Sequence, residues 1–447
     1  MRPRRTQHGI YMLCGQQPRV PSCNVCTAYF KVFSLSLFFM PSLLDRLKEK
    51  ETWEEFRQYR KDHSQLTRRE LRELDQFMAE ERYMSFSGLS SYGIPEKKLI
   101  SKSGSSKKRT VYSFGADATW MLKLLSYLLY SYDSSIHPSC YSFRRYVKSS
   151  DDLRDMMLVP GLDERYILKA DIHDYFGSID GRLLRTMLRE IINDDERLLT
   201  FLTELLAMDR CIYDGEEIRE DMGAMAGVPV SGFFADIYLR SMDIWFSLAG
   251  IPYFRYSDDM LVLAKDASER EEAMRMVRTF ADMLGLTLNP DKTRTFEPGE
   301  GFEFLGFSYR NGIIDLSDVT IKKMKGKIRR KTRKVMRRMK RTGASPEKAA
   351  SSMIRSFDNK FYDLTGTNSF SWIRFYFPVI NTTNGLSEID RYMTDCLRYL
   401  FTGRHSLKNR SIPYDRLRKL GYTPLKAEYY RWRKENALLN AGKRGLN

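Results

Sequence analysis

A chain of 447 residues is long enough to bury a large core and to divide into two or more domains. Its 74 Lys and Arg against 57 Asp and Glu leave a formal charge of +17, which points to a polyanionic partner. Six cysteines over this length argue against a disulfide framework and for a reduced compartment.

Residues 1–39 are arginine-rich, then cysteine-bearing, then apolar from Val32 to Phe39. Cys23-Asn-Val-Cys26 has zinc-like spacing, but with only Cys14 nearby it reads as incidental thiols. The apolar run is about half of the ~20 residues that a membrane span needs. Its lead-in is too long for a standard signal peptide. Met40 opens an ordinary amphipathic stretch, so the natural start is expected at Met40, with 1–39 a disordered extension and no membrane partner. A peptide from before Met40 in protein from its native host would overturn that expectation. Trp53, Phe56 and Tyr59, then Leu71, Leu74, Phe77 and Met78, predict helices within 41–90.

Lys102-Ser-Gly-Ser-Ser-Lys107-Lys108-Arg109 has the composition of a solvated basic turn. Tyr166-Ile-Leu-Lys-Ala alternates and is β-branched, which predicts a strand ending at Asp171. Leu183, Leu184, Met187, Leu188, Ile191 and Ile192 then follow a helical period. Farther on, Ile251–Phe254 and Met260–Ala264 flank Tyr256-Ser257-Asp258-Asp259 as the two arms of a hairpin. Adjacent carboxylates in apolar surroundings are costly unless a cation compensates them, and Mg²⁺ prefers carboxylate and phosphate oxygens. Taken alone, an Asp-Asp turn is only a polar turn. With Asp171 at a second strand end, three carboxylates reach one place. That is what a two-metal phosphoryl-transfer site requires, with ions about 3.5–4 Å apart. His173 is read as non-catalytic, because a hard cation does not favour imidazole and alternation sends the ring to the strand's other face.

Between Lys322 and Arg341 there are thirteen Lys or Arg and no acid, while Ile321, Met324, Ile328, Val335 and Met339 recur at helical spacing. This predicts a helix with one buried seam and broad basic flanks. Aromatic-rich helical stretches follow at Phe357–Tyr362, Trp372–Phe377, Tyr392–Leu400 and Tyr414–Trp432, suited to core packing or to stacking on unpaired bases.

In this order the motifs resemble those of reverse transcriptases over about residues 95–310. The resemblance implies an α+β, right-hand polymerase architecture. Helices and fingers would occupy 40–165, a palm with an antiparallel sheet 166–310, a basic thumb helix 311–345 and a helical, RNA-binding extension 346–447. Lys102 and Arg109 would face the incoming triphosphate, and Tyr141-Ser-Phe143-Arg144 would link fingers to palm. Asp171, Asp258 and Asp259 would be catalytic, holding two Mg²⁺ (Mn²⁺ as a substitute) with the carbonyl of Ile172. Phe176 falls where the family places a ring beneath the sugar, implying a preference for dNTPs; an ordinary core phenylalanine is the plainer reading. Gly227, Pro229 and Ser231 would open a helix under template and nucleotide. The Pro-Gln expected just ahead of Gly227 is replaced by Met225-Ala226, which puts template positioning in doubt. Lys292, in Leu288-Asn-Pro-Asp-Lys-Thr, would protonate pyrophosphate or be a plain turn lysine. Phe304, Leu305 and Gly306 resemble the primer grip. Lys325, Arg329, Lys331 and Arg333 would track the nucleic-acid backbone without reading sequence.

No Cys/His set for a nuclease, no acidic set for an RNase H and no Val-Thr-Gly signature follow. The chain therefore most resembles stand-alone bacterial reverse transcriptases of the "unknown", defence-associated group. Tyr414–Tyr422 is similar to a segment of their type 2 members. This implies a cytoplasmic bacterial enzyme copying a cognate structured non-coding RNA in antiphage defence. An intron-type maturase without endonuclease and a non-catalytic RNA-binding scaffold are the alternatives. The polymerase expectation depends on the three aspartates meeting; lysines neutralising them would remove it.

Overall fold

The computed structural model describes residues 42–63, 65–101, 108–145, 149–362, 371–404 and 412–444. The expectations for residues 1–39 and for Lys102 lie outside the described residues.

After a single helical turn at Leu43–Arg46 come two amphipathic helices, α1 (Lys50–Asp62) and α2 (Arg68–Ala79). A reciprocal capping box between Thr67 and Glu70 starts α2. Trp53 anchors the pair: its ring stacks on Tyr83, packs on Phe77 and donates its Nε1–H to the Leu47 carbonyl at 2.8 Å. Next come β1 (Glu96–Ser101) and β2 (Lys108–Ser113), an antiparallel hairpin closing at Ser101 opposite Lys108, and then the apolar helix α3 (Ala116–Leu128).

The palm is built on β3 (Tyr166–Ala170), one of the two inner strands of a four-stranded antiparallel sheet. Ile167, Leu168 and Ala170 are buried, as expected for a strand flanked on both edges. Helices α4 (Gly181–Ile191) and α5 (Glu196–Leu206) follow, N-capped by the carboxylates of Asp180 and Asp195. A small hairpin, β4 (Arg210–Tyr213) and β5 (Glu216–Arg219), joins the fingers hairpin to give the order β2-β1-β4-β5. Nothing local in 210–219 announces that association. Helices α6 (Ser231–Tyr238) and α7 (Arg240–Leu248) lead to β6 (Tyr253–Tyr256) and β7 (Asp259–Ala264), then to α8 (Ala267–Met283) and β8 (Arg294–Phe296). The palm sheet has the order β6-β7-β3-β8, with Ala170 opposite Met260.

A three-stranded sheet of β9 (Phe302–Phe304), β10 (Phe307–Arg310) and β11 (Ile313–Leu316) precedes the basic helix α9 (Asp318–Thr342). Its apolar face buries Ile321, Met324, Ile328, Thr332, Val335 and Met336 against α10 (Pro346–Tyr362) and α11 (Asn384–Thr402). Helix α12 (Leu425–Arg444) packs on α11. The expected helical stretch 414–432 is two helices, because Gly421 (φ +98) and Pro424 break it between Lys419 and Leu425. Phe357, Phe361, Trp372, Phe377, Tyr422 and Tyr429 are buried in this region's core, so packing accounts for most of its aromatics. Among the described residues no helix is long and apolar enough to cross a membrane.

Candidate active site

The β6–β7 turn is two residues long. Tyr256 pairs with Asp259, and Ser257 sits at φ +58, leaving Asp258 at the tip. Asp171 comes from the end of β3, the strand beside β7, and is 1% exposed. The three carboxylates feel one another. Burial first, then the charges of Asp259 and Asp171, push the Asp258 carboxyl up to about 6. Burial and Asp171 likewise raise Asp259, against a downward pull from Lys169, Lys292 and Lys323.

Asp171 is already engaged. Its Oδ1 accepts from Asn289 Nδ2 at 3.0 Å and its Oδ2 from Lys292 Nζ at 2.6 Å. Burial lowers the Lys292 ammonium, but the bond and charge of Asp171 outweigh it and leave it above an ordinary lysine. Lys292 is therefore neither an isolated turn lysine nor turned outward to a leaving group. Among the described residues no three acidic, His or Cys side chains are yet gathered tightly enough to chelate an ion. One ammonium does not neutralise three carboxylates: Asp258 and Asp259 remain raised, by burial first and then by the neighbouring carboxylates. One buried and two half-buried carboxylates set side by side are oxygen donors of the kind a hard divalent cation takes, so the residues fit such an ion. Asp171, Asp258 and Asp259 would hold it, with Lys292 giving way.

Ile172 bridges Leu288, flanked by bonds from Asn289 N to the Asp171 carbonyl (2.7 Å) and from His173 N to the Thr287 carbonyl (2.8 Å). In that pattern the Ile172 carbonyl points away from the 287–289 segment. The alternation argument for His173 does not apply, because the strand ends at Ala170 and the exposed ring sits in a turn.

Arg109 and Phe176 meet, the guanidinium lying 5.7 Å from the ring centroid. Phe176 is held by its backbone: its carbonyl accepts from Ala224 N at 2.8 Å. A Cβ on Gly223 (φ +54) would lie 2.3 Å from that carbonyl oxygen, so only glycine fits there. Gly227 (φ +101) faces the fingers, where an added Cβ would meet the Tyr112 carbonyl at 3.0 Å. The two residues that replace Pro-Gln are buried and structural, since the Ala226 carbonyl takes the Tyr112 N–H at 2.8 Å. Pro229 accepts from Ser126 Oγ at 3.0 Å. Ser231 is 2% exposed and donates its hydroxyl to the Met225 carbonyl at 2.7 Å, so it closes its own loop rather than offering that hydroxyl to a nucleotide.

Phe304 is buried, while Leu305 (φ +47) and Gly306 (φ +88) form the bend between β9 and β10. The Gly306 carbonyl accepts from Ser317 N at 3.0 Å and Thr320 Oγ1 at 2.9 Å, seating the bend on the start of α9. On α9, Lys325 pairs with Glu388, Lys331 is half-buried, and Arg329 and Arg333 are exposed and near Tyr392 of α11. The lysine of α9 whose charge acts on Asp259 is Lys323, which no pattern in the sequence singles out. Equally unmarked was Asp152, a fully buried carboxyl with neither oxygen bonded, driven well up by burial and by Asp155 and Asp259. Nothing in Ser149-Ser-Asp-Asp distinguishes it from a polar helix start.

Strand-end acids on an antiparallel sheet, between a basic fingers hairpin and a basic helix, define a right-hand nucleotide polymerase. Residues 95–309 match the family described as reverse transcriptase (RNA-dependent DNA polymerase). Residues 95–309 thus form a reverse transcriptase domain, the domain of RNA-dependent DNA polymerases. No curated protein matches it by sequence. Solved structures that the chain matches include an apo telomerase from Candida tropicalis truncated from its C-terminal domain, of which it spans little more than half (14% identity, 52% of this chain and 56% of that one, TM-score 0.39). Another is the Candida albicans telomerase in complex with a fragment of telomeric RNA (13% identity, 78% and 71%, TM-score 0.39). A third is a further apo Candida tropicalis telomerase (13% identity, 75% and 70%, TM-score 0.41).

The uncompensated carboxylates have a thermodynamic consequence. Asp258 titrates at about 6 when folded and near 3.9 when unfolded, so the folded state binds its proton more tightly between those values. Stability then falls as pH rises from about 4 to 6 and stays lower above that. Asp258→Asn should raise the thermal midpoint of the metal-free protein at pH 7.5, by on the order of 1–2 kcal/mol of stability. The gain should shrink toward zero near pH 4. A pH series of melting curves measures it, and an equal gain at all pH would show that the charge is not the cause.

Proposed function

We propose that this polymerase copies a structured non-coding RNA into DNA in the bacterial cytoplasm, in the service of antiphage defence. What supports the chemistry is the meeting of Asp171 with the Asp258–Asp259 turn inside a reverse transcriptase domain. The wider role rests on the resemblance of the compact palm with its helical C-terminal extension, and of Tyr414–Tyr422, to stand-alone defence-associated enzymes.

The divisions of labour are proposals in the same sense. Asp171, Asp258, Asp259 and the Ile172 carbonyl would hold Mg²⁺, or Mn²⁺ in its place, which would acidify the primer 3′-OH and screen the triphosphate. The remaining work falls to side chains. Arg109 presents a planar fork to phosphate oxygens while its other face rests on Phe176. Phe176 lies beneath the sugar and leaves no room for a 2′-OH. Lys292 keeps its proton, and once released from Asp171 it can donate that proton to the departing pyrophosphate. The Phe304–Gly306 bend guides the primer end, and α9 holds the duplex backbone.

Purifying the full chain with its bound RNA, sequencing that RNA and adding dNTPs with Mg²⁺ tests the reading. A short RNA encoded beside the gene and copied into DNA is the expected result. An intron would make the protein a maturase, and failure to incorporate any nucleotide would leave only a scaffold. Phe176→Ala should relax ribonucleotide exclusion by roughly 10–100-fold in the ratio of kcat/KM for dNTP over rNTP. An unchanged ratio would return Phe176 to the core.

A further inference from the structure

Ser257 lies in the left-handed region, where a non-glycine residue is strained and must be held from outside. Both of its peptide groups are held. Its N–H donates to Ser142 Oγ at 3.1 Å, and its carbonyl accepts from Arg255 Nη1 at 3.0 Å. The Arg255 side chain is wholly buried, with Nε donating to Asp243 Oδ1 at 2.7 Å. Its Nη2 bonds the other Asp243 oxygen and, at 3.1 Å, the Asp236 carbonyl. The Asp236 carboxylate in turn accepts from Ser142 Oγ at 2.5 Å and from Phe143 N at 2.7 Å. A closed ring of bonds therefore runs from Ser257 through Arg255, Asp236 and Ser142 back to Ser257.

The same ring fastens the 139–143 segment to the catalytic hairpin. Arg255 N donates to the Ser139 carbonyl at 2.8 Å, and Tyr141 N donates to the Arg255 carbonyl at 2.9 Å. A buried ion network of this kind is a weak stabiliser, because desolvation offsets its attraction. What it supplies is direction. The Ser257 carbonyl belongs to the peptide that carries Asp258, so turning that peptide swings the Asp258 carboxylate.

We propose that Arg255 and Ser142 are positioning residues of the metal-binding turn: Arg255 holds the Ser257–Asp258 peptide and Ser142 the Tyr256–Ser257 peptide before it, and together they fix Ser257 so that Asp258 faces Asp171. The proposal rests on the polymerase reading of the three aspartates.

Ser142→Ala is the direct test, since it removes one hydroxyl and leaves the Arg255–Asp243 pair in place. Mn²⁺ binding to the full-length protein, read by electron paramagnetic resonance, should weaken by roughly threefold to tenfold. Single-turnover incorporation should fall by about tenfold or more, with RNA affinity unchanged. Ser142→Thr, which keeps the hydroxyl, should recover both. Arg255→Lys keeps the charge but loses the fork, and it should weaken Mn²⁺ binding at least as much as Ser142→Ala. Wild-type Mn²⁺ affinity in Ser142→Ala, whether or not its melting temperature drops, would overturn the proposal. Asp258→Ala serves as the control for the parent reading. If it binds Mn²⁺ as the wild type does, the aspartates are not the ion's ligands and both readings fail.

Discussion

Replacing Asp258 and Asp259 together by alanine should lower nucleotide incorporation by roughly 10³–10⁴-fold, or about 4–5.5 kcal/mol of transition-state stabilisation. Both side chains sit where β6 turns into β7, beside Asp171, and neither carries the hairpin's packing, which comes from Phe254, Met260, Leu261 and Val262. The fold should therefore survive, and removing two repelling carboxylates should if anything stabilise the metal-free protein. RNA affinity should stay within about twofold, because the basic surface proposed to bind phosphates lies on α9 and in the fingers. Parallel filter-binding and primer-extension assays separate these effects. Loss of RNA binding along with synthesis would make the acids structural rather than catalytic.

The second large effect is expected on α9. Lys323 is the residue of this helix that acts on Asp259, and helical spacing brings Arg330, Lys334 and Arg337 to its face. All four are exposed. Changing them to glutamine should reduce the slope of log affinity against log salt by about 3, at roughly 0.7–0.9 for each phosphate no longer neutralised. Near 150 mM salt this corresponds to roughly 10²-fold weaker binding. The set Lys325, Arg329, Lys331 and Arg333 should show less, because Lys325 is paired with Glu388 and Lys331 is half-buried. Titrations of both quartets at several salt concentrations decide between the two faces. A larger slope change in the second quartet would place the nucleic acid along the α11 side.

Much of the site was legible because its signals are local. Alternation marked β3 and its terminal Asp171, and two apolar runs around Tyr256–Asp259 marked the hairpin that carries the other two acids. The Leu305-Gly306 bend and the Gly223 and Gly227 positions also belong to short motifs whose backbone angles leave few choices of residue. The seam of α9 was visible for the same reason, since burial on one face of a helix repeats every three to four residues. Which basic residue of that helix reaches the acids was not visible, because every angular position outside the seam carries a Lys or Arg.

The order of amino acids alone thus set the elements, the succession of motifs and the supply of three carboxylates at two strand ends. What those groups touch was settled by three-dimensional packing: Lys292 and Asn289 on Asp171, Arg109 over Phe176, Lys323 near Asp259, and the buried ring from Arg255 to Ser142. Period and turn chemistry are properties of neighbours along the chain. Partners separated by about a hundred residues, as Ser142 and Ser257 are, come together through the packing of separate elements, and no local pattern records that meeting.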